Sequence, residues 1–396
     1  MKIQELKTFI VGNPPPHRGG LNWTFVKLTT DTGIVGVGEV YDAPFAPRAL
    51  VAMIETTAER FVIGADPFKI EELWRKMYTH GYNQRPDVAK VAIMSAFEMA
   101  CWDIIGKELN QPVYNLLGGK YNEKLRSYSY LYPSSSDPTQ KSAHTDPYLA
   151  GETAAKFVKT GFTAIKLDPV GPTIRKAPVQ LSLATLDNAE AVVKSVREAV
   201  GGSCDILIGT HGQMTTSSAI RLARRIEKYD PLWFEEPVPP ENVDEMARVA
   251  RFTTIPVATG ERLATKYEFR ELLEKQAAQI LQMALGRVGG ILEAKKIAGM
   301  AEAHYAQIAP HLYCGPIEAI ANIQVDTCSP NFLVQESIET FGGFHAKILK
   351  EPIQWQDGYI IPPTKPGLGV ELDEEVLAQY PYEGTSTCID VRELEL

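Results

Sequence analysis

Short apolar runs along this chain are repeatedly closed by a polar group: Ile165-Lys166-Leu167-Asp168, Thr210-His211-Gly212, Phe234-Glu235-Glu236-Pro237, Gly260-Glu261-Arg262 and Ile308-Ala309-Pro310-His311. Each run reads as a β-strand, and polar groups at successive strand ends converge if those strands form a parallel barrel. From about residue 124 onward the pattern is strand then helix, repeated. Candidate strands lie at 125–131, 163–167, 205–209, 232–234, 256–258, 279–282, 307–309 and 332–335. Amphipathic segments such as 217–227 and 291–304 fall between them, which predicts an α/β fold with a (β/α)-barrel of modified TIM type. The polar, turn-rich stretch 132–147 is expected to be a long loop after the first of these strands.

The first part of the chain has a different rhythm. Residues 2–11, 23–29 and 33–41 read as strands, the last two joined by the turn Thr30-Asp31-Thr32-Gly33. Segments 46–61, 69–78 and 89–108 carry apolar residues at helical spacing. Strands followed by helices indicate an α+β unit. Pro14-Pro15-Pro16-His17-Arg18-Gly19-Gly20 interrupts it as a rigid, exposed loop, which reads equally as a surface turn or as a contact for a ligand at a barrel mouth. After Glu336 the alternation is lost, and 358–372 is expected to run back toward the N-terminal unit. The expected domains are 1–124, α+β; 125–356, barrel; and 357–396, a returning C-terminal segment.

Composition narrows the functional classes. A chain of 396 residues with 44% hydrophobic and 22% charged residues can bury a large core, and a barrel of roughly 250 residues leaves material for a second domain. The formal charge of −9 argues against a nucleic-acid footprint and favours a small-molecule substrate. No apolar stretch approaches the roughly 18 residues of a membrane span. Cys101, Cys204, Cys314, Cys328 and Cys388 are scattered without a CxxC pair, and no secretory segment opens the chain, so free thiols in a cytoplasmic protein are expected.

The strand-end residues supply the chemistry. Glu235 and Glu261 carry hard oxygen ligands suited to Mg²⁺. Singly, each would read as a salt-bridge or cap residue; together, beside Glu236 and at successive strand ends, they favour metal binding. Lys166 ends an apolar run, where burial would lower its pKa and let it act as a base or grip a carboxylate, unless it merely snorkels. His211 and His311 at the same barrel face favour acid/base roles over structural ones.

On these motifs the chain resembles the enolase superfamily, mandelate racemase type, and within it the sugar-acid dehydratases that include galactonate dehydratases. The resemblance runs from the N-terminal unit, which it identifies as a capping domain, to the Pro-Gly-Leu-Gly segment at 366–369. It implies a substrate-facing Lys166, with Asp168 two residues on; Mg²⁺ on Glu235 and Glu261; acid/base histidines at 211 and 311; and Glu336 on the substrate carboxylate. His17, Arg18 and Tyr82, in the capping loops, are expected to contact substrate. Three positions depart from the pattern. Gly209 stands where a third metal carboxylate is expected, Ala284 where an aspartate would orient His311, and Asp168 where a two-base racemase has a second lysine.

The implied reaction is Mg²⁺-dependent abstraction of the proton α to a carboxylate of an acid sugar, followed by β-elimination to a 2-keto-3-deoxy acid. A homo-oligomer is expected, since the family often assembles so. Two other readings stay open: a cycloisomerase or lyase acting on an anhydro or lactone acid sugar, and a non-catalytic acid-sugar binding protein. Keto-acid release from an acyclic aldonate separates the first reading from the second. Ligand-induced thermal stabilisation without turnover would mark the third.

Overall fold

The computed structural model describes residues 1–41, 47–80, 84–132, 142–171 and 177–384. The N-terminal unit opens with an antiparallel meander of β1 (Ile3–Gly12), β2 (Asn22–Thr30) and β3 (Val35–Val40). Helices follow at Pro47–Thr57, Ile70–Thr79 and Val88–Glu108. The first predicted helix, 46–61, ends earlier than expected, because at Ala58–Val62 the chain widens into a π-turn. The long helix starts at Asp87, whose carboxylate accepts from the backbone NH of Lys90 at 2.8 Å. It lies tightly against β3. A Cβ at Gly36 or Gly38 would stand 2.1 Å from the Ala100 carbonyl oxygen or 1.9 Å from that of Ala96, so only glycine allows this approach.

The same helix docks the unit onto the second domain. Glu98 accepts from the backbone NH groups of Ile291 and Leu292 at 2.6 and 2.8 Å, and Ser95 Oγ accepts from that of Gly289 at 2.9 Å.

The second domain is a barrel of eight parallel strands: β4 (Leu125–Tyr130), β5 (Ala164–Leu167), β6 (Asp205–Gly209), β7 (Trp233–Glu235), β8 (Val257–Thr259), β9 (Ile280–Leu281), β10 (Gln307–Ile308) and β11 (Gln335–Ser337). β11 pairs with β4, and a bridge from Ile308 to Phe332 links β10 to the segment entering β11. The eighth strand begins where its predicted range, 332–335, ends. Hydrophobicity marks Phe332-Leu333-Val334, but the ladder is made by Gln335, Glu336 and Ser337, which are polar and buried.

Beyond the barrel, β12 (Gln354–Gln356) and β13 (Tyr359–Ile361) form a hairpin that adds to β4 in antiparallel register. The chain then meets the N-terminal unit: Val113 NH donates to Gly367 O, Leu368 NH to Asp103 Oδ1, and Val11 bridges Pro381. Cys101, Cys204, Cys314 and Cys328 are buried free thiols, while Cys388 lies outside the described residues. Among the described residues no helix is long and apolar enough to cross a membrane.

Candidate active site

Side chains alternate across a strand, so every second residue of a barrel strand points inward. The inner layer is apolar: Tyr128, Ala164, Leu207, Trp233, Ala258, Ile280, Ala309 and Val334 form one buried cluster. Two residues further along the same eight segments stand Tyr130, Lys166, Gly209, Glu235, Gly260, Gln282, His311 and Glu336. The period that fills the barrel with hydrocarbon therefore delivers the charged groups to its C-terminal face, where such barrels place their chemistry.

Lys166 is at the centre. Its Nζ donates to Glu235 Oε1 at 2.7 Å and to Glu336 Oε1 at 3.3 Å, and it is only 2% exposed. Burial opposes the ammonium charge, but Glu235 and Glu336 outweigh it and hold the pKa well above the usual lysine value. The expected depression of this pKa is therefore reversed, and Lys166 is a fixed cation instead of a neutral base. The second oxygen of Glu235 accepts from Trp233 Nε1 at 3.1 Å. The second oxygen of Glu336 accepts from Leu312 NH at 2.9 Å. Although burial works against it, Lys166 and His311 pull the Glu336 carboxyl down to about 2.

The two histidines have different partners. His311 is buried, with Nδ1 lying 2.9 Å from Glu336 Oε2 and 3.2 Å from Glu261 Oε2, while Nε2 meets the Tyr41 hydroxyl of the capping domain at 3.1 Å. Burial disfavours its charge, yet Glu261 and Glu336 raise its pKa above the ordinary histidine value. These contacts replace the aspartate absent at Ala284. His211, held at a positive φ of 50°, places Nδ1 3.3 Å from Asp168 Oδ2. Burial is again outweighed, here by Asp168 and Glu261, and His211 is raised to about 9. Asp168 itself accepts from Gln213 Nε2 at 2.8 Å and from Val170 NH at 3.1 Å. Its carboxylate is thus turned toward His211, Gln213 and its own loop.

The remaining polar residues are placed differently from one another. Arg18 reaches the barrel, with its guanidinium 4.4 Å from the Tyr132 ring centre and its Nε 3.6 Å from Glu339 Oε1. His17 is instead occupied by its own loop, through Nδ1 and Asn13 O at 2.6 Å. Tyr82 lies outside the described residues. Asp205 sits at the opposite end of β6, paired with Arg126 at 2.7 Å.

Two contributors escape sequence reading, and a third, Glu236, enters it only as the acidic neighbour of Glu235. Glu236 is locked by Arg262 through contacts of 2.6 and 3.2 Å. Tyr41, just beyond the end of β3, meets His311 from the capping domain. His144, inside the predicted loop, is buried, accepts from Asp168 NH at 3.3 Å and is pushed down to about 4 by burial. The only sequence signal for Tyr41 is its place at a strand end, and His144 offers none.

Eight strand ends, a lysine between glutamates and two histidines under a docked α+β unit define an enzyme of the enolase type. Family models agree: residues 18–118 match the mandelate racemase / muconate lactonizing enzyme N-terminal domain, and 150–376 match the enolase C-terminal domain-like family. The chain belongs to the mandelate racemase/muconate lactonizing enzyme family of the enolase superfamily.

Among curated relatives, it is 35% identical to a D-xylonate dehydratase of Haloferax volcanii, over 97% of this chain and 90% of that protein. It is 35% identical to a D-galactonate dehydratase of Ralstonia nicotianae, over 96% and 94%. Among solved structures, it is similar to a candidate mandelate racemase/muconate lactonizing enzyme of Labrenzia alexandrii, with a TM-score of 0.94, 57% identity, and coverage of 98% of this chain and 97% of that one.

Enzymes of this family generally use Mg²⁺. The residues here do not fit that ion as they stand. Gly209 brings no carboxylate, and both oxygens of Glu235 and of Glu336 are taken by donors of the protein itself. Glu261 lies against His311. Among the described residues, no three His, Cys, Asp or Glu side chains form a group that could hold a metal ion. Of the two glutamates expected to hold the ion, Glu235 is bonded to Lys166 and Trp233, and Glu261 lies beside His311.

Proposed function

We propose that this enzyme is a carbon–oxygen lyase that dehydrates an acid sugar to a 2-keto-3-deoxy acid. The observation that carries the reading is the pair of histidines, differently partnered, both within the fields of the buried Lys166 ammonium and of Glu261. The full-length dehydratase relatives support the substrate class.

A proton α to a carboxylate is weakly acidic until the developing enediolate is stabilised, and fixed positive charge in a dry site does this. Lys166 supplies such a charge. With two carboxylates beside Nδ1, His311 keeps its proton there and offers Nε2 as the base. His211, protonated up to about 9, donates to the departing β-hydroxyl. Asp168 holds the His211 ring and its charge, so it is a positioning residue. Arg18 and Tyr132, at the edge of the capping loop, are suited to contact the distal hydroxyls. A base and an acid on two histidines, both raised above the ordinary histidine value, predict a bell-shaped rate profile. Its acid limb lies above the ordinary histidine value and its alkaline limb near 9.

Incubation with a panel of acyclic aldonic acids, with detection of 2-keto-3-deoxy acids, tests the reading. Product from at least one acid supports it. Product only from lactones or anhydro acids would move the enzyme to the cycloisomerase or lyase reading, and tight binding without turnover to the binding-protein reading.

A further inference from the structure

We infer that the Lys166 ammonium is the resident cation of this barrel, standing where the family's divalent ion is absent from the ligand set. Gly209 is the key. It lies in regular strand β6, paired with Glu235, and its φ is not positive, so the backbone has no need of glycine there. Glycine within a strand weakens it and often marks a close approach. The approaching group is Lys166: a Cβ at 209 would stand 2.9 Å from Lys166 Cε and 3.6 Å from Cδ and Cγ. The missing side chain is therefore the space through which the lysine stem passes.

The stem delivers Nζ to Glu235 and Glu336, and the remaining oxygens of those carboxylates accept from Trp233 and Leu312. A Mg²⁺ ion needs oxygens at about 2.0–2.1 Å in octahedral array, and a nitrogen bonded at 2.7 Å to the central carboxylate stands in its way. One substitution, carboxylate to glycine, thus removes a metal ligand and admits a cation in the same step. The charge balance does not depend on the substrate; only the use of that charge on an enediolate rests on the dehydratase reading.

The full-length protein, stripped with chelator and titrated with Mg²⁺ in a calorimeter, is expected to give no saturable heat into the millimolar range, and its Tm should not move with Mg²⁺. In Gly209→Asp the new side chain displaces the lysine stem and completes three carboxylates. That variant should bind one equivalent of Mg²⁺ roughly tenfold or more tightly than the wild type. If Gly209→Asp does not fold, Lys166→Ala/Gly209→Asp removes the stem atoms that would clash and gives the same reading. A wild type that binds one equivalent at micromolar affinity, lost in Glu235→Gln, overturns the inference. So does a folded variant that takes up no Mg²⁺, because a pocket unable to hold any added cation makes Lys166 a packing residue. Failure of the dehydratase reading would appear separately, as an absence of keto acid.

Discussion

Two layers of one barrel lie two residues apart on every strand and share nothing in chemistry. The lower, from Tyr128 round to Val334, is aromatic and aliphatic, with Trp233 and Tyr128 edge to face at 5.2 Å. The upper, from Tyr130 round to Glu336, holds an ammonium, two carboxylates and a histidine, all buried. The lower layer is filled by dispersion and hydrophobic burial, and its members tolerate exchange for groups of like volume. The upper layer is held by mutual charge compensation, so each member is indispensable to the others. The difference teaches that burial alone does not define the core of this barrel; the step of two residues decides which physics applies.

The sharpest way to break the distinction is to give the upper layer the chemistry of the lower. Lys166→Met keeps the length of the stem and deletes the charge. Removing one partner of a buried ion pair costs about 3–5 kcal/mol, so a loss of that size in chemical denaturation is expected, with turnover abolished. The carboxylates left behind are relieved by protonation, so the deficit should shrink as pH falls. A variant as stable as the wild type at every pH would show that the upper layer is held by packing after all.

A milder change tests whether the layers are joined. Trp233 belongs to the lower layer, yet its Nε1 supports Glu235 above. Trp233→Phe fills most of the same volume and leaves one buried carboxylate oxygen without its donor, at a cost of about 1–3 kcal/mol by denaturant titration. A loss no larger than that of a volume-conserving swap would separate the two layers.

The smallest effect concerns the residues one step higher, Asp168 and His211. A group whose folded pKa is raised gives stability that is complete below the unfolded value and is lost as pH rises through the folded one. For His211 that window runs from about 6.5 to about 9. Asp168→Asn should bring the alkaline limb of the rate profile down from about 9 toward the ordinary histidine value, and should flatten the stability profile between those pH values. An unmoved alkaline limb would assign it to another group.

How much of this is legible in the sequence follows from the same layers. Strand ends are written locally, as an apolar run closed by a polar residue, so the amino-acid sequence by itself places Lys166, Glu235 and His311 at one barrel face, and the family resemblance adds Glu336. The resemblance also marks Gly209 and Ala284 as departures. What fills them is not legible, because the fillers come from elsewhere in the chain. Lys166 crosses from the neighbouring strand into the space at Gly209, and the partners of His311 come from Glu261, Glu336 and the capping residue Tyr41. The inverted direction of the Lys166 pKa has the same origin: the apolar run around the residue announces its burial, but the two carboxylates that meet it lie 69 and 170 residues away. For Asp168 the sequence shows only its spacing from Lys166, which points it at the substrate; the turn that aims it at His211 belongs to the loop after β5.

Proton exchange in D₂O, followed by NMR with an acid sugar that the wild type dehydrates, tests the division of labour at the mouth most directly. If His311 is the base and His211 the acid, His211→Asn should exchange the α-proton of the substrate with solvent while forming no keto acid, and His311→Asn should do neither. Exchange that persists in His311→Asn and disappears in His211→Asn would contradict the account and reverse the two roles.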